Sequence, residues 1–197
     1  FVEFKEGLSL FQLTIKRLLT IFAASNIFIL SHRDYKSTIY NQLNQLEGLK
    51  KTLKDSLKKN VIYEPQGKST LPAVLLAIKH IEEARALRDN DILYVFPCDH
   101  IIEPVSKFRD SLKHAEDLAQ KGKIVIFGVK IDSVQEGYGY VIAKKEFYSG
   151  FLVDKFVEKP APEEAKRLLN KGALCNAGIF CFSKGTFLEE LSLWEPR

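Results

Sequence analysis

Apolar positions in this chain follow two rhythms. Short runs that are apolar on both faces alternate with longer stretches whose apolar residues recur at helical spacing, and that alternation predicts an α/β protein. Gly7 and Ser9 lead into a first helix, with Ser9 and Gln12 at capping-box spacing and Leu10, Leu13, Ile15, Leu18, Leu19 and Phe22 on its apolar face. Asn26–Leu30 reads as a buried parallel strand. A polar helix follows over Tyr35–Leu57, with a break near Gly48. Val61–Tyr63 is the next strand, Thr70–Leu87 a helix that carries Pro72 in its first turn, and Ile92–Phe96 the expected central strand, closed by Pro97. A helix over Val105–Ala119 stops before Gly122, and Ile124–Val129 forms another buried strand.

Beyond Val129 the strands shorten and alternate, around Tyr140–Ile142 and Phe151–Glu158. A helix over Pro162–Leu169, a strand over Ile179–Phe182 and a helix from Lys184 complete the series. The expected architecture is a doubly wound sheet with parallel buried strands, followed by a β-rich insertion. In such sheets ligands bind beyond the carboxyl ends of the strands. The segments after Tyr63, Phe96 and Val129 are therefore where chemistry is expected.

Composition adds three constraints. A chain of 197 residues, 46% hydrophobic and 27% charged, can bury a full core without disulfides or a structural metal. The net charge of +4 comes from lysines in short runs (Lys50-Lys51, Lys58-Lys59, Lys144-Lys145) without interleaved aromatics, so no nucleic-acid surface is expected. Cys98, Cys175 and Cys181 are odd in number and lack CxxC spacing, which reads as reduced thiols in a cytoplasmic protein. No signal peptide or bilayer-spanning stretch is visible. Methionine is missing even at position 1, and the chain reads as an excerpt.

Several segments carry candidate chemistry. Asp99, in Pro97-Cys98-Asp99-His100, can reach a magnesium ion held against a phosphate, or equally cap the next helix. Glu64-Pro65-Gln66-Gly67-Lys68-Ser69-Thr70 runs into a helix N-terminus, where orphan N–H groups favour anions; Glu64 can accept from a guanine edge, and an ordinary cap at Ser69 or Thr70 is the plainer alternative. Glu136-Gly137-Tyr138-Gly139-Tyr140 offers close backbone approach beside an aromatic wall, or a tight turn. Glu158-Lys159 can hold sugar hydroxyls and a phosphate, or form a surface ion pair, and Asn176 can orient a sugar hydroxyl. Neither a serine–histidine pairing nor a zinc spacing is present.

In order, EPQGKSTLPA, FPCDHII, EGYGYV, FVEKP and CNAGIF resemble the motif series of mannose-1-phosphate guanylyltransferases, including the bifunctional type with a phosphomannose isomerase domain. The resemblance runs from Phe1 to about Leu191. It implies the nucleotide-diphospho-sugar transferase fold, a Rossmann-like doubly wound mixed sheet in one domain. Residues 1–130 would form a nucleotide-binding half and 131–197 a sugar-phosphate-binding half. It implies GTP and mannose-1-phosphate as substrates and GDP-mannose and pyrophosphate as products. Glu64, Lys68, Ser69 and Thr70 would border the guanine, and Asp99 would bind Mg²⁺. Gly137, Tyr138, Gly139, Tyr140, Glu158, Lys159 and Asn176 would line the sugar-phosphate site, with Lys159 also catalytic.

Lys68-Ser69 and Leu71 stand where the family usually has Arg-Asn and Ala, and Cys98 and Cys175 replace a small residue and an aromatic. The family's glycine-rich phosphate loop would lie upstream of Phe1 and a second metal-binding aspartate downstream of Arg197, so the chain by itself is expected to be incomplete for catalysis. Another sugar-1-phosphate, or a non-catalytic nucleotide-sugar-binding relative, stays open as an alternative. A homodimer is one assembly left open.

Overall fold

The computed structural model describes residues 2–5, 7–67 and 69–194, which fall into two compact units. The first comprises residues 1–87 and 98–109; the second comprises 88–97 and 110–197.

In the first unit β1 (Glu3–Lys5) and β2 (Leu8–Ser9) form a small antiparallel pair ahead of α1 (Leu10–Leu19). The capping box holds as the spacing predicts. Ser9 Oγ accepts from the Gln12 N–H, and Gln12 Oε1 accepts from the Ser9 N–H at 3.0 Å. Phe11, Ile15 and Leu18 turn inward from this helix.

β3 (Ile29–His32) begins three residues later than the run Asn26–Leu30 suggests. A short 3₁₀ turn occupies Ala24–Asn26, and the Asn60 amide donates to the carbonyls of Ala24, Ser25 and Ile27, so these groups are satisfied outside a ladder. The polar helix forms as α2 (Lys36–Gln45) and α3 (Lys51–Lys59), with the expected break spanning Gly48. β4 (Val61–Glu64) pairs with β3 in parallel, Ile29 opposite Val61 and His32 opposite Glu64. α4 (Thr70–Ala84) buries Val74, Ile78 and Ile81.

The second unit contains β5 (Ile92–Val95), most of α5 (Val105–Ala119), β6 (Val125–Val129), β7 (Tyr140–Phe147), β8 (Gly150–Val157), α6 (Pro162–Asn170), β9 (Leu174–Ser183) and α7 (Lys184–Trp194). Its five strands share one sheet built on β9. Tyr94 and Val125 both pair with Cys181, and Val129 and Tyr140 both pair with Cys175. β5 and β7 therefore lie along one edge of β9 and β6 along the other. β8 then adds to β7.

All these pairings are antiparallel. With the parallel β3–β4 pair the strands are thus of both kinds, as a mixed doubly wound fold requires. The wholly parallel winding suggested by the apolar runs is not what forms. Among the described residues β5 has β9 as its one strand partner, and is not central. The reason is that apolar content reports burial, while strand direction is set by distant pairing. β6 also departs from a fully buried strand: Gly128 and Val129 are exposed.

Two apolar clusters stand out among the described residues of this unit. Ala115, Ala119 and Cys181 pack with Ile92, Tyr94, Val125 and Phe127. Tyr140, Ala165, Leu168 and Ala173 pack with Ile131, Val134, Ile142 and Val157. The ring of Tyr140 is wholly buried, and its hydroxyl accepts from the Gln135 N–H at 2.8 Å and donates to the Gln135 carbonyl at 3.1 Å. One phenol thus satisfies both main-chain groups of a residue in the preceding loop.

Replacing Tyr140 with Phe keeps the ring in the core and orphans both groups. We expect a loss of about 1–3 kcal/mol, read as a fall in Tm of roughly 2–10 °C in a thermal melt. An unchanged Tm would mean that water replaces the hydroxyl at no cost.

Candidate active site

In the first unit the site residues sit where strands end. Glu64 closes β4, and His32 closes β3 directly opposite it in the parallel register. Parallel partners in register project to the same face, so the carboxylate and the imidazole share one end of this pair. His32 Nδ1 accepts from the Asp34 N–H at 3.4 Å and lies 3.2 Å from Asp34 Oδ2. His32 was not among the residues the sequence singles out; its position at a strand's carboxyl end was the available signal.

Ser69 precedes α4 at φ 101°, in the left-handed half of backbone space that side chains rarely enter, and its side chain makes no cap bond. The ordinary-cap alternative does not form there. Thr70 opens the helix, and Pro72 brings no N–H to the first turn. Lys68 lies outside the described residues.

Asp99 follows the Pro97 that ends the β5 segment. Its side chain is 72% exposed, and its carboxylate lies 3.7 Å from His100 Nε2. Cys98 is exposed, yet desolvation of its sulfur by the surrounding protein and, after it, the Asp99 charge push its thiol up. The His100 carbonyl accepts from Arg17 Nη1 at 3.0 Å. Arg17 also escaped notice in the sequence, although a charge interrupting the apolar face of α1 marks it.

No group of three or more His, Cys, Asp or Glu side chains able to hold a metal occurs among the described residues. One exposed carboxylate is nonetheless the donor set Mg²⁺ takes when phosphate oxygens and water complete its shell. Asp99 fits that requirement.

In the second unit the remaining candidates converge. β7 pairs with β8 at Tyr140–Val157 and with β9 at Tyr140–Cys175, and the Asn176 N–H donates to the Gly139 carbonyl at 2.8 Å. Gly139, Glu158 and Lys159 are thereby brought to the shared end of β7 and β8, beside Asn176 near the start of β9. A Cβ on Gly139 would stand 2.7 Å from Phe156 and 2.9 Å from Glu158 Oε2, so only glycine lets this carboxylate lie against the backbone.

Asn176 Oδ1 accepts from the Gly178 N–H at 3.1 Å, which leaves its NH₂ to donate. Lys159 sits at φ 44°, with its ammonium 3.8 Å from Glu158, and both side chains are exposed. Gly137 turns the loop at φ 81° and Tyr138 is half exposed, as a wall residue would be. Tyr140 is corrected: its buried side chain faces the core and holds Gln135, so it offers a ligand nothing but its backbone.

The arrangement can bind hydroxyls and a phosphate in one unit and present a carboxylate, strand ends and a helix N-terminus in the other. A model of the family described as "Nucleotidyl transferase" matches residues 1–197. A mannose-1-phosphate guanylyltransferase of Escherichia coli is 31% identical over the whole chain, which spans 41% of that protein. ManC of Salmonella typhimurium, also named a mannose-1-phosphate guanylyltransferase, is 33% identical, with the whole chain spanning 40% of it. The chain thus spans about two fifths of the length of these relatives.

Among solved structures, one named a mannose-1-phosphate geranyltransferase from Thermus thermophilus superposes with a TM-score of 0.81 at 25% identity, covering 98% of this chain and 52% of that one. A mannose-6-phosphate isomerase from Helicobacter pylori gives 0.81 at 27% identity, covering 99% and 69%. With its mixed α/β architecture and the family match along its whole length, the chain belongs to the nucleotidyl transferase family.

Proposed function

We propose that the protein carrying this chain transfers GMP from GTP to mannose-1-phosphate, releasing pyrophosphate. The observation that carries the reading is the convergence of Gly139, Glu158 and Lys159, at the shared end of β7 and β8, with Asn176 near the start of β9. That cluster combines a sugar-hydroxyl acceptor, a free amide donor and a cation suited to a phosphate. The names borne by the relatives support guanine and mannose over other bases and sugars.

In this reading Glu64 accepts from the guanine N–H edge, and the backbone at Ser69 and Thr70 borders the base. Lys68 belongs to the same proposed border. Glu158 and Asn176 orient the mannose hydroxyls, with Gly137, Tyr138 and Gly139 as the floor and wall. Lys159 holds the phosphate of mannose-1-phosphate as the attacking group; this phosphate is already anionic, so no general base is required. Asp99 would hold Mg²⁺, which supplies charge neutralisation at the phosphates when bound. The remaining catalysis is positioning for in-line displacement at the α-phosphorus.

The left-handed backbone at Lys159 supports its place here, because strained conformations of this kind cost about 1–3 kcal/mol and cluster at ligand sites. We assign the protein to the cytoplasm, where Cys98, Cys175 and Cys181 stay reduced. No described helix is long and apolar enough to cross a membrane.

The test is pyrophosphate release from matched pairs of nucleoside triphosphate and sugar-1-phosphate. GTP with mannose-1-phosphate should be fastest; faster turnover of glucose-1-phosphate with another triphosphate would replace both substrates in the proposal. Asp99→Asn should lower kcat by roughly two orders of magnitude or more with the melting curve nearly unchanged. Wild-type rates at ordinary Mg²⁺ would remove Asp99 from the metal. On the sugar side, Lys159→Ala and Asn176→Ala should raise KM for mannose-1-phosphate more than KM for GTP, and Lys159→Ala should also lower kcat. Equal effects on the two substrates would make both residues structural.

A further inference from the structure

Arg17 is a buried charged group for which the proposed chemistry has no use. It lies on α1 among Phe11, Ile15 and Leu18, only 7% exposed. No carboxylate pairs with it among the described residues. Nη2 donates to Thr14 Oγ1 at 3.1 Å, the guanidinium carbon stands 5.8 Å above the ring of Phe108, and Nε has no hydrogen-bond partner. A desolvated cation without a counter-charge is unfavourable, and an apolar side chain of similar length would be easier to bury on this face.

What the guanidinium adds is reach. Its Nη1 donates at 3.0 Å to the carbonyl of His100, 83 residues away and directly after Asp99. Asp99 has little else to hold it. Its side chain is 72% exposed, and among the described residues the one ion-pair contact of its carboxylate is the loose approach to His100 Nε2 at 3.7 Å. Bonds from an ionised donor are stronger than neutral ones, and Arg presents them in a rigid fork that a Lys ammonium cannot copy. Removing a group hydrogen-bonded behind a metal ligand typically costs about ten- to a hundredfold in metal affinity, and Arg17 acts one residue from the ligand, on the same turn.

We infer that Arg17 is a positioning residue: through the His100 carbonyl it fixes the turn that presents Asp99. The inference rests on the metal-binding role proposed above for Asp99. It goes beyond that role by making a buried cation on another element the support of the site.

The experiment compares Arg17→Met, Arg17→Lys and Asp99→Asn in the protein that carries this chain, by thermal melting, by amide hydrogen exchange of residues 99–102 without metal, and by the Mg²⁺ dependence of pyrophosphate release. Arg17→Met should melt close to wild type, because it replaces an unpaired buried charge with an apolar chain. Its amides over 99–102 should exchange about ten- to a hundredfold faster, and its Mg²⁺ requirement should rise about ten- to a hundredfold, with KM for mannose-1-phosphate unchanged. Arg17→Lys should behave like Arg17→Met.

A folded Arg17→Met with wild-type exchange over 99–102 and a wild-type Mg²⁺ requirement would overturn the inference. So would a wild-type Arg17→Lys, or the failure of both variants to fold, which would make Arg17 a core staple. Failure of the metal assignment reads differently: Asp99→Asn would leave the Mg²⁺ dependence unchanged while Arg17→Met still speeds exchange.

Discussion

The second unit depends on the backbone of one strand. β9 offers two edges over ten residues; among the described residues β5 and β6 pair with it alone, and β7 joins it at Tyr140 and Val141 while pairing with β8 over the rest of its length. A strand so placed has no free choice of register, since a slip by one residue would send its buried set to the opposite face. Cys175, Phe180 and Cys181 mark the rows where β9 is held on both sides, and both cysteines are buried. Asn176 lies within this span. Its register shift against β6, between Ile126 and Gly128, falls inside the same stretch. Bulges of this kind re-aim side chains beside binding sites. A side chain mounted on the most constrained strand is the one best able to hold a hydroxyl at a fixed angle.

Around that strand the polar groups divide by how tightly they are held. Asn176 has its backbone N–H on Gly139 and its Oδ1 on Gly178, so little of its freedom remains to be lost on binding. Glu158 is pressed against Gly139 on one side and faces water on the other. Lys159 is exposed and tied by a single long contact to Glu158. A contact of that kind contributes little to folding. For an incoming phosphate this is an advantage, because displacing a weak pairing costs less than breaking a strong one.

How far the sequence could be read depended on the range of each interaction. The capping box of α1 needs four residues, Ser9 to Gln12, and it forms as the spacing predicts. α5 matches its expected limits, Val105–Ala119, because helical periodicity is local too. β9 was visible only over Ile179–Phe182, its apolar half. The polar half around Asn176 is a strand because β6 and β7 supply partners, and no local pattern reports that. The antiparallel setting of β5 is hidden for the same reason. At the candidate site the motif residues were legible by type and order, whereas the left-handed backbone at Ser69 and Lys159 was not. Glycine marks such positions in a sequence, and neither residue is glycine.

Tyr140 and Arg17 show why motif and role separate. Both stand near residues proposed to meet substrate, and either would pass for a ligand by chemical type. Burial decides otherwise. A phenol at 0% exposure with its hydroxyl on Gln135 cannot also face a sugar. A guanidinium with its nitrogens on the His100 carbonyl and on Thr14 is directed at the protein rather than at a phosphate. Tyr140 spends its hydroxyl on the main chain of the preceding loop, and Arg17 spends two of its three nitrogens, on the His100 carbonyl and on Thr14 of its own helix. That is costly in isolation, because buried polar groups must be matched nearly completely. The cost is easier to understand when the loop being held carries the chemistry. An exposed carboxylate such as Asp99 cannot be fixed by packing on its own side chain without losing access to solvent and ligand, so its order has to come from the backbone behind it.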